Sequence, residues 1–407
     1  MADCVRASWI LPMHRPPIRD GWVQVREGRV VAVGDGDAPG TTRDLRDRLG
    51  EVALLPGLIN AHTHLELSWM AGRVPPAPSM ERWISAMMAV RRSGPAGGDA
   101  EVLAAADRAI RAAMQTGTVA FGDVTNSLAT VSALVAAGAS GVVFHEILGF
   151  NPIDARGLVH DATTRLRAVC PAEIAAAVVA HAPYSTAPDV FREIARAHDG
   201  TAPLSVHLAE SADEMELLRS ATGPMRALLE RLGVWSGQWE APGAHPVRFL
   251  KSLGYLAPGT LLVHAVHFSA ADLDEACEAG AVIVTCPRSN TWVGGGVPPL
   301  ARFYGSGIPV AIGTDSLASV DSLNLFDELA AMRRLAPEVE AGRFLDSATR
   351  VGAAALRLND LGQWAPGCRA TGVAVGLPPV TTGRDVEEYL VSGIPSSAIT
   401  PLTMPSC

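Results

Sequence analysis

Residues 56–66 read PGLINAHTHLE, an apolar run that stops at two histidines separated by a single residue. Successive side chains of a strand alternate between its faces, so His62 and His64 project to the same side and can address one metal ion. The run is part of ALLPGLINAH (53–62). The same short Val/Ile/Leu-rich texture returns at TVAFGDV (118–124), GVVFHEI (141–147), IAAAVVAH (174–181), PLSVHLA (203–209), TLLVHAV (260–266), AVIVTCP (281–287) and IPVAIGTD (308–315). Ala-rich stretches such as 101–115, 188–198 and 270–279 separate these runs and read as amphipathic helices. Eight strands alternating with helices are what a (β/α)8 barrel requires.

Polar residues break the apolar runs at their C-terminal ends, the face on which barrel enzymes carry their sites. His62 and His64 end strand one, Asp123 strand two, Glu146 strand three and His181 strand four. His207 and Glu210 close strand five, His264 strand six and Asp315 strand eight. A lone H-x-H is a weak signal. Joined by His207 and Asp315, it becomes three imidazole nitrogens and a carboxylate, a set that suits one Zn(II), with Fe(II) or Mn(II) also compatible.

Around the barrel pattern the texture differs. GWVQVREGRVVAVG (21–34) alternates apolar and polar residues about Glu27-Gly28, a hairpin signal. Past Gly362, Gly/Pro punctuation and short strands such as TGVAVG (371–376) return, able to pair with the N-terminal strands. The expected α/β architecture is a (β/α)8 TIM barrel over 55–361 with a small β-sandwich from 1–54 and 362–407. The longest irregular stretch, 223–246, carries Trp235 and Trp239 and follows strand five, where barrel loops cover active sites.

Composition narrows the function classes. A net charge of -9 argues against a polyanionic partner such as nucleic acid, which needs clustered Lys and Arg. The six cysteines (Cys4, Cys170, Cys277, Cys286, Cys368, Cys407) form no C-x-x-C pair, so neither a disulfide framework nor a cysteine zinc site is indicated, and a reducing cytoplasm fits. The N-terminal apolar stretch is short and interrupted, and no run of about 18 apolar residues occurs. The expectation is a cytoplasmic protein with a small-molecule substrate and neither a nucleic-acid nor a membrane partner. Its oligomeric state is left open, a homodimer included.

PGLINAHTHLE, HAPYS (181–185), SVHLAE (205–210), LLVHAVH (261–267), TCPRSN (285–290) and AIGTDS (311–316), in this order and spacing, resemble the cytosine- and adenosine-deaminase-like branch of the amidohydrolase superfamily. The resemblance covers nearly the whole chain and implies the barrel-plus-sandwich fold. It makes His62, His64, His207 and Asp315 the metal ligands, Glu210 the proton shuttle and His264 the group that orients the attacking hydroxide. A metal lowers the pKa of its water to about 7. Glu210 would carry that proton to a ring nitrogen, and Asp315 would help protonate the departing amine as ammonia leaves. Binuclear members bridge two metals with a carboxylated lysine ending strand four. Here His181 stands there and the single lysine, Lys251, lies before strand six, so a mononuclear site is expected. One departure is Pro366-Gly367-Cys368-Arg369-Ala370-Thr371, where relatives read P-G-x-x-A-D.

HTHLELS (62–68), CPRSN and the following GGGVPP (294–299) most resemble the aminodeoxyfutalosine deaminases of the futalosine route to menaquinone, whose substrate is an adenine nucleoside bearing an aryl carboxylate. Candidate substrate contacts are Glu66, Trp69, Trp83, Glu146, His181, Tyr184, Arg288, Ser289 and Asn290, with Arg288 able to pair bidentately with a carboxylate. Other readings are hydrolysis of S-adenosylhomocysteine, methylthioadenosine, guanine or an s-triazine, and a non-catalytic barrel used as an assembly module.

Overall fold

The computed structural model describes residues 3–237 and 239–403; Cys407, like the rest of 404–407, lies outside them. The eight runs form parallel strands at Leu58–Thr63, Thr118–Thr125, Ser140–Ile147, Ala175–Ala180, Ser205–Leu208, Leu261–His264, Val282–Thr285 and Val310–Ile312. Strands one to four make one four-stranded sheet and strands five to eight another. The His207 amide donates to the His181 carbonyl at 2.9 Å, and a parallel bridge joins Thr63 to Asp315. These two links close the sheets into the (β/α)8 barrel that strand counting predicts. Register sets the polar ends of strands five and six one residue apart: His207 lies opposite Val263, and Leu208 opposite His264.

The first run differs from its reading in sequence. ALLPGLINAH is two strands, because Val52–Pro56 pairs antiparallel with Thr371–Gly376 in a different sheet and only Leu58–Thr63 enters the barrel. Gly57 stands at the break, where a Cβ would sit 2.3 Å from Val119. The stretch 223–246 also opens on a helix, Gly223–Arg231, with proline in its first turn and Met225, Leu228 and Leu229 buried. Helix Gly383–Leu390 lies within the C-terminal segment read as short strands, started by a Thr382/Asp385 capping box.

The hairpin forms as read: Trp22–Arg26 pairs antiparallel with Arg29–Gly34. Its two turn residues, Glu27 and Gly28, both take positive φ (52° and 70°), as a type I′ turn demands. This pair joins Asp3–Arg6 and Thr41–Asp44 in a four-stranded sheet. A five-stranded sheet contains Ile399–Thr403, Thr371–Gly376, Val52–Pro56, Trp9–Ile10 and Ile18–Arg19. Val5, Val23 and Val25 from the one and Ile10, Leu54 and Ala374 from the other share a buried cluster with Trp364.

The chain falls into two compact units. One takes in the chain up to Ala61, Arg111–Phe121 and the chain from Asn324 onward; the other holds His62–Ile110 and Gly122–Leu323. Among the described residues no cysteine forms a disulfide, and no helix is long and apolar enough to cross a membrane.

Candidate active site

The polar residues that end the barrel strands converge within the second unit. One ring-nitrogen set, His62, His64 and His207, lies within 4.8 Å of mutual contact, as do ligand atoms of Glu210, His264 and Asp315. Asp315 Oδ1 joins the groups, at 4.0 Å from His62 Nε2 and 3.6 Å from His64 Nε2. His207 Nδ1 donates to the His181 carbonyl at 2.9 Å. That bond fixes the tautomer and leaves the Nε2 lone pair facing His64 Nε2, 3.2 Å away. His62 is fully buried and neither of its ring nitrogens has a partner.

Burial lowers the pKa of His62, His64, His207 and His264, so the imidazoles stay neutral at physiological pH with lone pairs to offer. A buried polar atom without a partner is costly, and the orphaned His62 ring beside His64, His207 and Asp315 makes a donor set that fits one divalent ion. A second trio, Glu146, His181 and His207, also lies within 4.8 Å. It reuses His207, whose Nδ1 proton is already committed to a carbonyl.

The remaining groups are arranged for proton transfer. Glu210 is buried and its pKa is pushed well above the usual carboxylate value, first by burial and then by the charges of Asp315 and Glu214. Its Oε1 lies 3.4 Å from His264 Nε2. The Asn290 amide nitrogen lies 2.9 Å from His264 Nδ1, which assigns the ring proton to Nε2, toward Glu210. Ser289 Oγ donates to Asp315 Oδ2 at 2.5 Å, and Ser319 does so at 3.2 Å.

Beside the cluster lies a cavity of about 250 Å³ whose lining includes His64, Glu146, His181, His207, Glu210, His264 and Asp315. Trp83 and Tyr184, both candidates from sequence, line it too. Helix Met80–Arg92 forms one wall and residues 225–232 another.

Five of the expected substrate contacts do not line this cavity. Glu66 is consumed by a turn: its carboxylate accepts from Thr125 Oγ1, Ser127 Oγ and the amides of Asn126 and Ser127. Burial would raise its pKa, but those hydrogen bonds outweigh it and the pKa falls. Trp69 packs into an apolar cluster with Met70 and Val74. Ser289 and Asn290 orient Asp315 and His264. Arg288 is tied to Asp321 and to the Ser322 carbonyl and hydroxyl, so the expected carboxylate partner is displaced by an internal one.

Three residues escaped the reading of the sequence. Glu214 is buried and accepts from the backbone amides of Ala209 (2.9 Å) and Glu210 (2.8 Å), holding the turn from which Glu210 projects. Its signal was S-x-x-E, since Ser211 caps that helix by accepting from the Glu214 amide. Asn126 donates to Glu146 Oε2 at 3.0 Å from within the lining. Arg91 lines the cavity on the same helix face as Trp83, Ile84, Met87 and Met88, a 3–4 spacing readable in MERWISAMMAVRR.

This fold agrees with that of its relatives. The amidohydrolase family matches residues 53–399, and the chain belongs to it as a metal-dependent hydrolase. It is 31% identical over 386 residues to the 5-methylthioadenosine/S-adenosylhomocysteine deaminase of Nitratidesulfovibrio vulgaris, covering 89% of this chain and 80% of that one. It is also 31% identical over 345 residues to the aminodeoxyfutalosine deaminase of Deinococcus radiodurans, covering 80% of each. The Helicobacter pylori aminofutalosine deaminase, solved with methylthio-coformycin, superposes with a TM-score of 0.83 at 25% identity over 96% of both chains.

Proposed function

We propose that this protein hydrolytically deaminates an adenine nucleoside, with aminodeoxyfutalosine the leading substrate and the futalosine route to menaquinone its setting. The carrying observation is the convergence of His62, His64, His207 and Asp315 on one point beside a buried Glu210, at the end of a largely apolar cavity. In this reading the four hold one zinc ion. When bound, the ion would supply Lewis-acid activation of water near neutral pH.

The chain's own groups then divide the work. Glu210 takes a proton from the attacking water at its carboxylate oxygen and passes it to a ring nitrogen of adenine. His264, fixed by Asn290, presents Nε2–H to the oxygen of that water and steadies its approach. The new C–O bond makes a tetrahedral carbon. The C–N bond to the exocyclic amine breaks as Asp315, held by Ser289 and Ser319, passes the proton of the adduct's new hydroxyl to the departing amine, which leaves as ammonia while the C=O bond forms. Glu146, His181, Tyr184 and Trp83 line the cavity for the rest of the nucleoside. S-adenosylhomocysteine and methylthioadenosine are the competing substrates, favoured by the Nitratidesulfovibrio relative.

The experiment is ammonia release by zinc-loaded protein from aminodeoxyfutalosine, S-adenosylhomocysteine, methylthioadenosine, adenosine, guanine, cytosine and an s-triazine. The expected result is turnover of one or more adenine nucleosides to the hypoxanthine product, well above guanine, cytosine and triazine. Fully loaded protein that releases no ammonia from any nucleoside would overturn the proposal.

A further inference from the structure

We propose that Arg91 selects an anionic 5′ substituent by pairing with its carboxylate at the outer end of the cavity; this rests on the adenine-nucleoside reading. Trp83, Ile84, Met87 and Met88 make an apolar face on helix Met80–Arg92, and Arg91 continues that face by one more turn. Leu228 and Leu229 help form the facing wall. Arg91 is the one lysine or arginine among the lining residues, and it is exposed to incoming solute.

Nearby cations are already engaged: Arg231 with Glu81, Arg226 with Glu230, and Arg288 with Asp321. The Arg91 guanidinium has no partner among the described residues. Arg92, its neighbour in the last helical turn, can complement the helix dipole without lining the cavity. A guanidinium accepts one carboxylate in a two-pronged fit. Glu146 and Glu210 at the inner end disfavour a more highly charged phosphate.

The test compares zinc-loaded parent, Arg91→Gln and Arg91→Lys on aminodeoxyfutalosine, its methyl ester and methylthioadenosine. Arg91→Gln should lower kcat/KM for the free acid roughly ten- to hundred-fold, mainly through KM, and far less for the ester and methylthioadenosine. Arg91→Lys should recover part of the loss, and the parent's preference for the acid over the ester should shrink with added salt. Equal losses on acid and ester, or an unchanged preference in Arg91→Gln, would overturn the assignment. A parent that releases ammonia from none of the three would instead remove the nucleoside reading, and this inference with it.

Discussion

His207 and Glu210 stand three residues apart and separate two jobs that a single activity assay would confuse. The His207 Nε2 lone pair points into the cluster, so His207→Ala should lose metal and activity together. Glu210 faces His264 with a raised pKa, the state of a group that can hold a proton. Glu210→Gln should therefore keep its metal and lose kcat by about 10²–10⁴-fold, with KM changed less. Elemental analysis beside steady-state kinetics checks both; metal loss in Glu210→Gln would make the glutamate a ligand. At this scale the convergence of His62, His64, His207, Glu210, His264 and Asp315 was legible from polar side chains ending apolar strands, because strand geometry aims them, whereas Asp123 ends strand two and is held by the Leu65 amide and the Thr130 hydroxyl instead. Arg288 was not legible: a long side chain goes where a partner holds it, and Asp321, far along the chain, does so here. The fate of Glu66 likewise depended on Thr125 and Ser127 of another strand end.

Strand eight must approach strand one closely for Asp315 to meet His62 and His64. Gly313 permits that approach, since a Cβ there would lie 2.7 Å from both His62 Cβ and the His62 carbonyl and 3.0 Å from Cys286 Sγ. Gly313→Ala should therefore weaken metal retention during dialysis against a chelator and lower activity in proportion. Parental retention would show that the two strands need not be so close. Strand two offers a pH-dependent case. Asp123 accepts from the Leu65 amide and the Thr130 hydroxyl, yet burial pushes its carboxyl up to about 7 from 3.8. The folded state thus binds this proton more tightly, and the stabilisation, complete below the unfolded value, is lost as pH rises through the folded one. The urea midpoint of Asp123→Asn, compared with the parent's, should shift in the variant's favour between about pH 5 and about pH 8. An unchanging difference would mean the carboxylate is ionised throughout. Elements with strong periodicity, such as Ala100–Gln115 and Pro188–Ala197, were readable to within a residue or so of their ends. The continuous run 53–62 concealed two strands because hydrophobic pattern does not say which sheet receives each half.

For the molecule as a whole, the eight-strand count was the most secure reading, because the strands are largely buried and most are followed by a polar residue. The shape of the substrate cavity was the least secure, since its walls come from helix Met80–Arg92 and helix Gly223–Arg231, over a hundred residues apart in the chain. One metal per chain is the count we propose from the whole constellation. His181 ends strand four in place of a bridging lysine, and its trio with Glu146 depends on a His207 whose second nitrogen is already used. The most direct test of the account is to strip the protein of metal and titrate zinc back while measuring ammonia release from aminodeoxyfutalosine and S-adenosylhomocysteine. Activity should be absent in the stripped protein, rise linearly and break at one equivalent per chain. Deamination without metal, or a break at two equivalents, would contradict it.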